Sequence, residues 1–351
     1  MNIINKYCLS SYLTFRYVAR NNEAWVPGVF PEIPVLEKGQ QVGVSSSGEI
    51  LSFLKMIVDT EAKRVKTGIF LSGGIDSAIL AALLPPGTHA YTIDFIADSG
   101  ANEAGYAKKY AEFCGLNLHV VNVSWEDYEN YETSLMVKKK APLHAVEVAL
   151  YKAACMARED GIESIFVGNG ADSTFGGMDK LLSRDWKFDE FVDRYTFIDP
   201  QKVLRSPEDV SDVFLPYRKG EYIDYIAFLK EIHGLGIIQA FNNAVHSAGV
   251  SLVEPYEQLK LNGELDLQRI RNGEPKYLLV DVFKQLYPHI TPPRKVPFAR
   301  PMDEWLANYS GPCAEEFKPG LSMDSFSGDQ KYLLHCLDKF IGLLREGVLC
   351  Q

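Results

Sequence analysis

The chain has 351 residues, 46% of them hydrophobic, and a formal net charge of −10. It is long enough to bury a large core, and its negative charge, with no basic stripe to offset it, argues against a nucleic-acid partner. The six cysteines are scattered without C-x-x-C spacing and no apolar run is long enough to cross a membrane, so we expect a cytoplasmic protein with no membrane partner. Composition leaves the oligomeric state open.

Short apolar runs alternate with helix-forming stretches between residues 67 and 168. The predicted strands are 67–71, 90–95, 118–123 and 164–167, and the predicted helices are 77–84, 102–114 and 142–159. This alternation is typical of a parallel sheet covered by helices on both faces, so the predicted fold class is α/β. Beyond Leu181 helical signals dominate, for example at 222–232 and 235–248, which predicts a mostly helical C-terminal part. The basic run 138–140 reads as a solvated loop, or as a contact to an anionic substrate.

A glycine turn joins the first predicted strand to its helix, in the segment Leu71-Ser72-Gly73-Gly74-Ile75-Asp76-Ser77. Such a turn directs unpaired N–H groups and the positive end of the helix dipole at one point, which favours an anion. The two glycines would let phosphate oxygens approach the backbone, and the two serines would add hydroxyl donors. Asp76 is suited to hold a divalent cation. The alternative is an ordinary glycine turn capped by serine.

Two motifs carry a resemblance to a known family. The string SGGIDS resembles the pyrophosphate-binding loop of the ATP pyrophosphatase (PP-loop) superfamily, and no Gly-Lys-Ser/Thr of a Walker-type loop follows it. The string GNGADSTFGG at 168–177 resembles a segment of asparagine synthetases and β-lactam synthetases. The resemblance extends from about residue 50 to about residue 310. It implies an N-terminal extension at 1–48, a synthetase domain at 49–351, and ATP and Mg²⁺ as cofactors.

The resemblance also implies where the nucleotide binds. The first and fourth predicted strands would be neighbours, so the loops carrying Asp76 and Asp172 would face each other and hold Mg²⁺ with the triphosphate. Further nucleotide contacts would come from the backbone near Leu71, Ile93, Gly168 and Gly170. Glu103 occupies the position of a family acid, or is a first-turn carboxylate favoured by the helix dipole.

One lysine occupies the position of the family's catalytic lysine. Lys295 lies in Pro293-Arg294-Lys295-Val296-Pro297-Phe298, which resembles the R-x-K-x-x-F segment. A fixed ammonium there would stabilise charge that grows in the transition state. The alternative is a solvated surface lysine.

Two residues depart from the family pattern, and they affect which side chain could accept the proton of the amine. Asn169 stands where the family has glutamate or tyrosine, and an amide cannot accept a proton at neutral pH. The base would therefore be Glu254, Glu147 or His144, or the amine would arrive unprotonated. Ser173 replaces a family glutamate, so aspartate is not the expected substrate.

The N-terminal residues resemble the end of a glutaminase domain and its linker. Asn2 stands where such a domain needs cysteine, so we expect no glutamine hydrolysis; a strand pair sealing the sheet edge is the alternative. The expected function is amide formation by a synthetase that activates a small-molecule carboxylate as its adenylate, for capture by an amine or ammonia. Two other functions stay open, a non-catalytic nucleotide-binding protein and a PP-loop enzyme of the thiolation type.

Overall fold

The computed structural model describes residues 3–32, 41–98, 104–292 and 300–350. The strands are β1 (Val42–Val44), β2 (Thr67–Phe70), β3 (His89–Phe95), β4 (Asn117–Val123), β5 (Ser164–Phe166), β6 (Arg218–Lys219), β7 (Tyr222–Ile223), β8 (Ser251–Val253) and β9 (Leu259–Leu261). The helices are α1 (Lys6–Phe15), α2 (Ser47–Arg64), α3 (Ile75–Leu83), α4 (Ala104–Cys114), α5 (Trp125–Lys139), α6 (Glu147–Glu159), α7 (Ala171–Phe175), α8 (Asp179–Leu182), α9 (Phe188–Tyr195), α10 (Pro200–Val203), α11 (Tyr225–Phe228), α12 (Gly234–Ser247), α13 (Leu267–Arg271), α14 (Tyr277–Leu286), α15 (Met302–Trp305) and α16 (Gly328–Arg345).

A five-stranded parallel sheet with the order β4-β3-β2-β5-β8 organises the fold. The four predicted strands are all present, and the α/β fold class is confirmed. β2 pairs with β3 on one side and with β5 on the other, with Thr67 opposite Ser164, so the first and fourth predicted strands are neighbours. All four residues of β2 are buried, as expected for a central parallel strand. The strand order reverses between β2 and β5, and ligands of such sheets bind at the carboxyl ends of strands at that point.

Helices cover both faces of this sheet. On one face α2, α3, α4 and α14 pack together through buried residues such as Val58, Leu80 and Phe283. On the other face α5, α6 and α12 pack through residues such as Leu135 and Ala153. None of the helices of the described residues combines the length and the apolar character that crossing a bilayer requires.

The N-terminal residues pack into the second of these layers. The Asn5 side chain caps α1 by accepting from the Tyr7 N–H, and the Tyr12 hydroxyl donates to the Leu143 carbonyl at 2.7 Å. The Trp25 ring meets the Phe340 ring of α16 with centroids 5.0 Å apart. Residues 6–15 form a helix, so the alternative of an N-terminal strand pair is wrong. The division at residues 48 and 49 stays a prediction.

The other differences from the sequence predictions concern short or weakly patterned elements. α5 was not predicted, α6 begins at Glu147 and not at 142, and residues 222–232 contain β7, α11 and part of the π-helical turn Leu229–His233. β8 has three residues, too few to show a pattern. The basic run is the end of α5: Lys138 donates to the Ser247 carbonyl at 2.9 Å, and Lys139 is buried against Glu147. Both readings of that run were therefore wrong for Lys139.

Candidate active site

The turn after β2 is held by its two serine hydroxyls. The Oγ atoms of Ser72 and Ser77 lie 2.9 Å apart, and the Gly74 N–H donates to the Ser72 Oγ at 3.2 Å. Gly74 has a φ of −85°, and a Cβ there would lie 3.4 Å from the Ser72 Oγ, an ordinary contact. The internal geometry of the turn therefore does not itself require glycine at 74. Leu71 is buried beneath the turn, and its N–H donates to the Tyr91 carbonyl at 2.9 Å.

The loop after β5 lies directly against this turn. A Cβ on Gly168 would stand 3.0 Å from the Asp76 Cβ and 3.2 Å from the Ser77 nitrogen, so a larger residue there would push the two loops apart. Gly170 has a φ of +87° and is the N-cap residue of α7, which carries Asp172 in its first turn. The facing arrangement of the two loops is therefore present.

A lysine that sequence analysis missed joins the two aspartates. The Lys276 Nζ lies 2.6 Å from the Asp76 Oδ2 and 2.7 Å from the Asp172 Oδ1. Burial alone would lower the pKa of Lys276, but the two carboxylates outweigh it and raise the pKa above its ordinary value. A Cβ on Gly177 would overlap the Asp172 carboxylate and the Lys276 side chain, so glycine is needed there for the contact to form. The carboxylates predicted to hold a cation thus already share one positive charge.

Asn169 and Glu254 are brought together by neighbouring strands. Asn169 follows β5 and Glu254 follows β8, and the Asn169 Nδ2 donates to the Glu254 Oε1 at 2.9 Å. Burial raises the pKa of Glu254 to about 7; the hydrogen bond from Asn169 lowers it, and Glu257 adds to the rise. A carboxyl with a pKa near the working pH can exchange a proton, which the amide of Asn169 cannot.

The two other candidate bases differ in their surroundings. Glu147 is fully buried and forms an ion pair with Lys139. It also accepts hydrogen bonds from the Asn243 amide at 2.7 Å and from the His144 N–H at 2.6 Å. These contacts are typical of a structural ion pair. His144 lines the cavity described below, and burial, followed by the charge of Arg16, holds its pKa well below the ordinary range. His144 is therefore neutral at pH 7.

A cavity of about 470 Å³ lies at the two loops and extends to His144. Its lining includes most of the predicted site, namely Leu71, Ser72, Asp76, Ser77, Ile93, Gly168, Asn169, Gly170 and Asp172. Gly73 and Gly74 belong to the adjoining turn, and Glu254 is bonded to the lining residue Asn169. Lys295 and Glu103 lie outside the described residues. The lining also contains residues that sequence analysis did not assign to it, among them Arg16, His233 and Arg300.

A family model and several known proteins match this chain. The model described as asparagine synthase matches residues 53–223, which span β2 to β5 and both loops. This stretch is an asparagine synthase family domain.

Two curated relatives each match about a third of this chain. Amidase chry2 of Gibberella zeae is 29% identical over 136 residues, 33% of this chain and 20% of that protein. A candidate glutamine-hydrolysing asparagine synthetase of Methanocaldococcus jannaschii is 32% identical over 122 residues, 32% of this chain and 21% of that protein. This chain thus matches about a fifth of the length of each of these curated relatives. Among solved structures, the NMN synthetase of Francisella tularensis matches with a TM-score of 0.30 and 12% identity, over 73% of this chain and all of that one.

Proposed function

We propose that this domain binds ATP between the β2 and β5 loops and uses it to join a carboxylate to an amine. The contact of the two loops at the reversal of strand order, with Asp76 and Asp172 on either side, carries this proposal. The family match supports it, since it covers both loops. The acid and the amine would be small molecules.

The reaction would proceed in two balanced steps. A carboxylate oxygen of the acid attacks the α phosphorus of ATP, the bond from that phosphorus to the β-phosphate oxygen breaks, and pyrophosphate leaves. The amine nitrogen then attacks the acyl carbon of the adenylate, gives up a proton, and AMP leaves with the electrons of the broken C–O bond. Amide, AMP and pyrophosphate are the products.

Each group at the site has a part in this scheme. The N–H groups of the turn and the hydroxyls of Ser72 and Ser77 bind the pyrophosphate portion, each charge-assisted hydrogen bond contributing about 1.5–3 kcal/mol. Glu254 accepts the amine proton and Asn169 orients its carboxylate. Lys295 would stabilise the oxyanion, and this role stays a prediction.

The carboxylates of Asp76 and Asp172 are chemically suited to bind a magnesium ion. Asp76 and Asp172 offer the hard oxygen ligands that Mg²⁺ prefers, and Lys276 provides the positive charge that two facing carboxylates require. When bound, Mg²⁺ would neutralise phosphate charge during bond breaking. Lys276 would then be released to contact phosphate oxygens.

Isotope exchange tests the function. The protein should exchange labelled pyrophosphate into ATP only when its acid is present, and Asp76→Asn should abolish the exchange. Asp59→Asn, an exposed aspartate on α2, is the matched control and should keep it. Nucleotide binding without exchange across a broad panel of acids would support a non-catalytic binding protein instead, and exchange that depends on a sulfur donor would support a thiolation enzyme.

A further inference from the structure

Two histidines and an aspartate meet at the edge of the central sheet. His89 is the first residue of β3, and His119 lies in β4, the edge strand that pairs with β3. Asp160 directly follows α6, the helix that packs on these two strands. His89 is at the amino end of its strand, whereas the loops of the proposed ATP site follow the carboxyl ends of β2 and β5. None of these three side chains lines the active-site cavity.

The three side chains bring their ligand atoms close enough to share one metal ion. The His119 Nε2 lies 3.0 Å from the His89 Nδ1, and the Asp160 Oδ2 lies 3.6 Å from the His89 Nδ1 and 3.7 Å from the His119 Nδ1. One ligand atom from each residue lies within 4.8 Å of those of the other two. Tetrahedral zinc, with bonds of about 2.0–2.2 Å, places its ligand atoms about 3.3 Å apart, so small side-chain rotations are sufficient.

A buried tyrosine and a lysine hold Asp160 in place. The Tyr91 hydroxyl donates to the Asp160 Oδ2 at 2.7 Å, and the Lys66 Nζ donates to the Asp160 backbone carbonyl at 2.6 Å. The hydrogen bond from Tyr91 holds the pKa of Asp160 below its ordinary value, so this side chain is a carboxylate at neutral pH. Hydrogen bonds of this kind orient the ligands of metal sites.

The two imidazoles face each other through ring nitrogens. At 3.0 Å, one of the facing nitrogens of His89 and His119 donates a hydrogen and the other offers a lone pair. If that hydrogen moves to the second nitrogen of its own ring, both facing nitrogens offer lone pairs to a cation. The side chains of His89, His119 and Asp160 are 24–30% exposed, which leaves water free to complete the coordination.

We propose that His89, His119 and Asp160 bind a zinc ion, with water as the fourth ligand. Imidazole nitrogens suit Zn²⁺, whereas Mg²⁺ prefers oxygen ligands. The ion joins β3, β4 and the end of α6, and so stabilises this edge of the sheet. The site goes beyond the proposed function and does not depend on it.

Calorimetric titration with Zn²⁺ alone, on chelator-treated protein, tests the site. The wild type should bind one equivalent of Zn²⁺ that His119→Gln does not bind, and Zn²⁺ should raise the unfolding midpoint of the wild type more than that of His119→Gln. His289→Gln, an exposed histidine on the turn after α14, is the control and should keep the equivalent. Asp76→Asn should also keep it, which separates this site from the β2 and β5 loops. Equal Zn²⁺ binding by His119→Gln and the wild type would overturn the proposal.

Tyr91→Phe tests the positioning of the carboxylate. It removes the hydroxyl that donates to Asp160 and keeps the ring, so the affinity for Zn²⁺ should fall about 10- to 100-fold while the stoichiometry stays the same. An unchanged affinity would contradict the positioning role of Tyr91.

Crystals of the wild type soaked in Zn²⁺ decide the question even where a variant does not fold. An anomalous zinc peak within about 2.0–2.2 Å of one ligand atom from each of His89, His119 and Asp160 would support the proposal. Crystals without a zinc peak at these three side chains would overturn it.

Discussion

Replacing Lys276 by methionine should both destabilise the protein and create a better cation site. The Lys276 side chain is 8% exposed, and the side chains of Asp76 and Asp172 are 20% and 45% exposed. Removing one partner of a buried ion pair costs about 3–5 kcal/mol, and the exposure of Asp172 reduces this to about 2–3 kcal/mol. The cost arises because the two facing carboxylates lose the ammonium that bridges them.

Urea unfolding with and without Mg²⁺ measures both effects. For a dissociation constant of about 1 mM, about 10 mM Mg²⁺ should restore roughly 1.4 kcal/mol to Lys276→Met, and less to the wild type, whose ammonium already occupies the position. Lys260→Met, an exposed lysine on β9, is the control and should change neither value. A Lys276→Met protein as stable as the wild type, or one that Mg²⁺ does not stabilise, would refute the idea that these aspartates form a cation site.

Three further predictions concern Glu254, Gly177 and Glu147. Because the pKa of Glu254 is raised to about 7, the wild type should lose up to about 3 kcal/mol of its free energy of unfolding as the pH rises from about 4.5 through 7. The rate of amide formation should increase over the upper part of that range. Glu254→Gln should remove both trends, and Asn169→Ala should shift the pH profile of the rate to higher pH. A pH profile of Glu254→Gln that matches the wild type would exclude this carboxyl as the base. Gly177→Ala should weaken ATP binding, measured by calorimetry, because its Cβ would displace the Asp172–Lys276 contact. Gly48→Ala is the control and should bind ATP as the wild type does, because a Cβ there meets open space. Equal affinities of Gly177→Ala and the wild type for ATP would contradict this reasoning. Glu147→Gln should cost about 3–5 kcal/mol in urea unfolding by leaving Lys139 buried without its partner, and a variant of wild-type stability would show that the pair contributes little.

Local patterns in the sequence were enough to find the two loops and the strands before them. A strand, a glycine turn and a helix start are encoded by adjacent residues, so β2, β5 and the segments after them could be read directly. The adjacency of these two strands came from the resemblance and is confirmed by the pairing of Thr67 with Ser164.

The residues that were missed depend on distant contacts. Lys276 lies 200 residues from Asp76, and its own neighbours show no pattern that marks a site. Arg16 reaches the cavity because α1 packs against α10 and α16, which no local signal reveals. Glu254 was named as a candidate base, but its contact with Asn169 depends on β8, a strand too short to predict.

Co-crystals with Mn²⁺ and a non-hydrolysable ATP analogue would show whether the two loops hold the nucleotide, because Mn²⁺ can stand in for Mg²⁺ and be located by its anomalous scattering. We expect a manganese peak within coordination distance of Asp76 and Asp172, with the phosphates against the turn from Ser72 to Ser77. An analogue bound elsewhere, or a peak away from both carboxylates while Lys276 still bridges them, would contradict it.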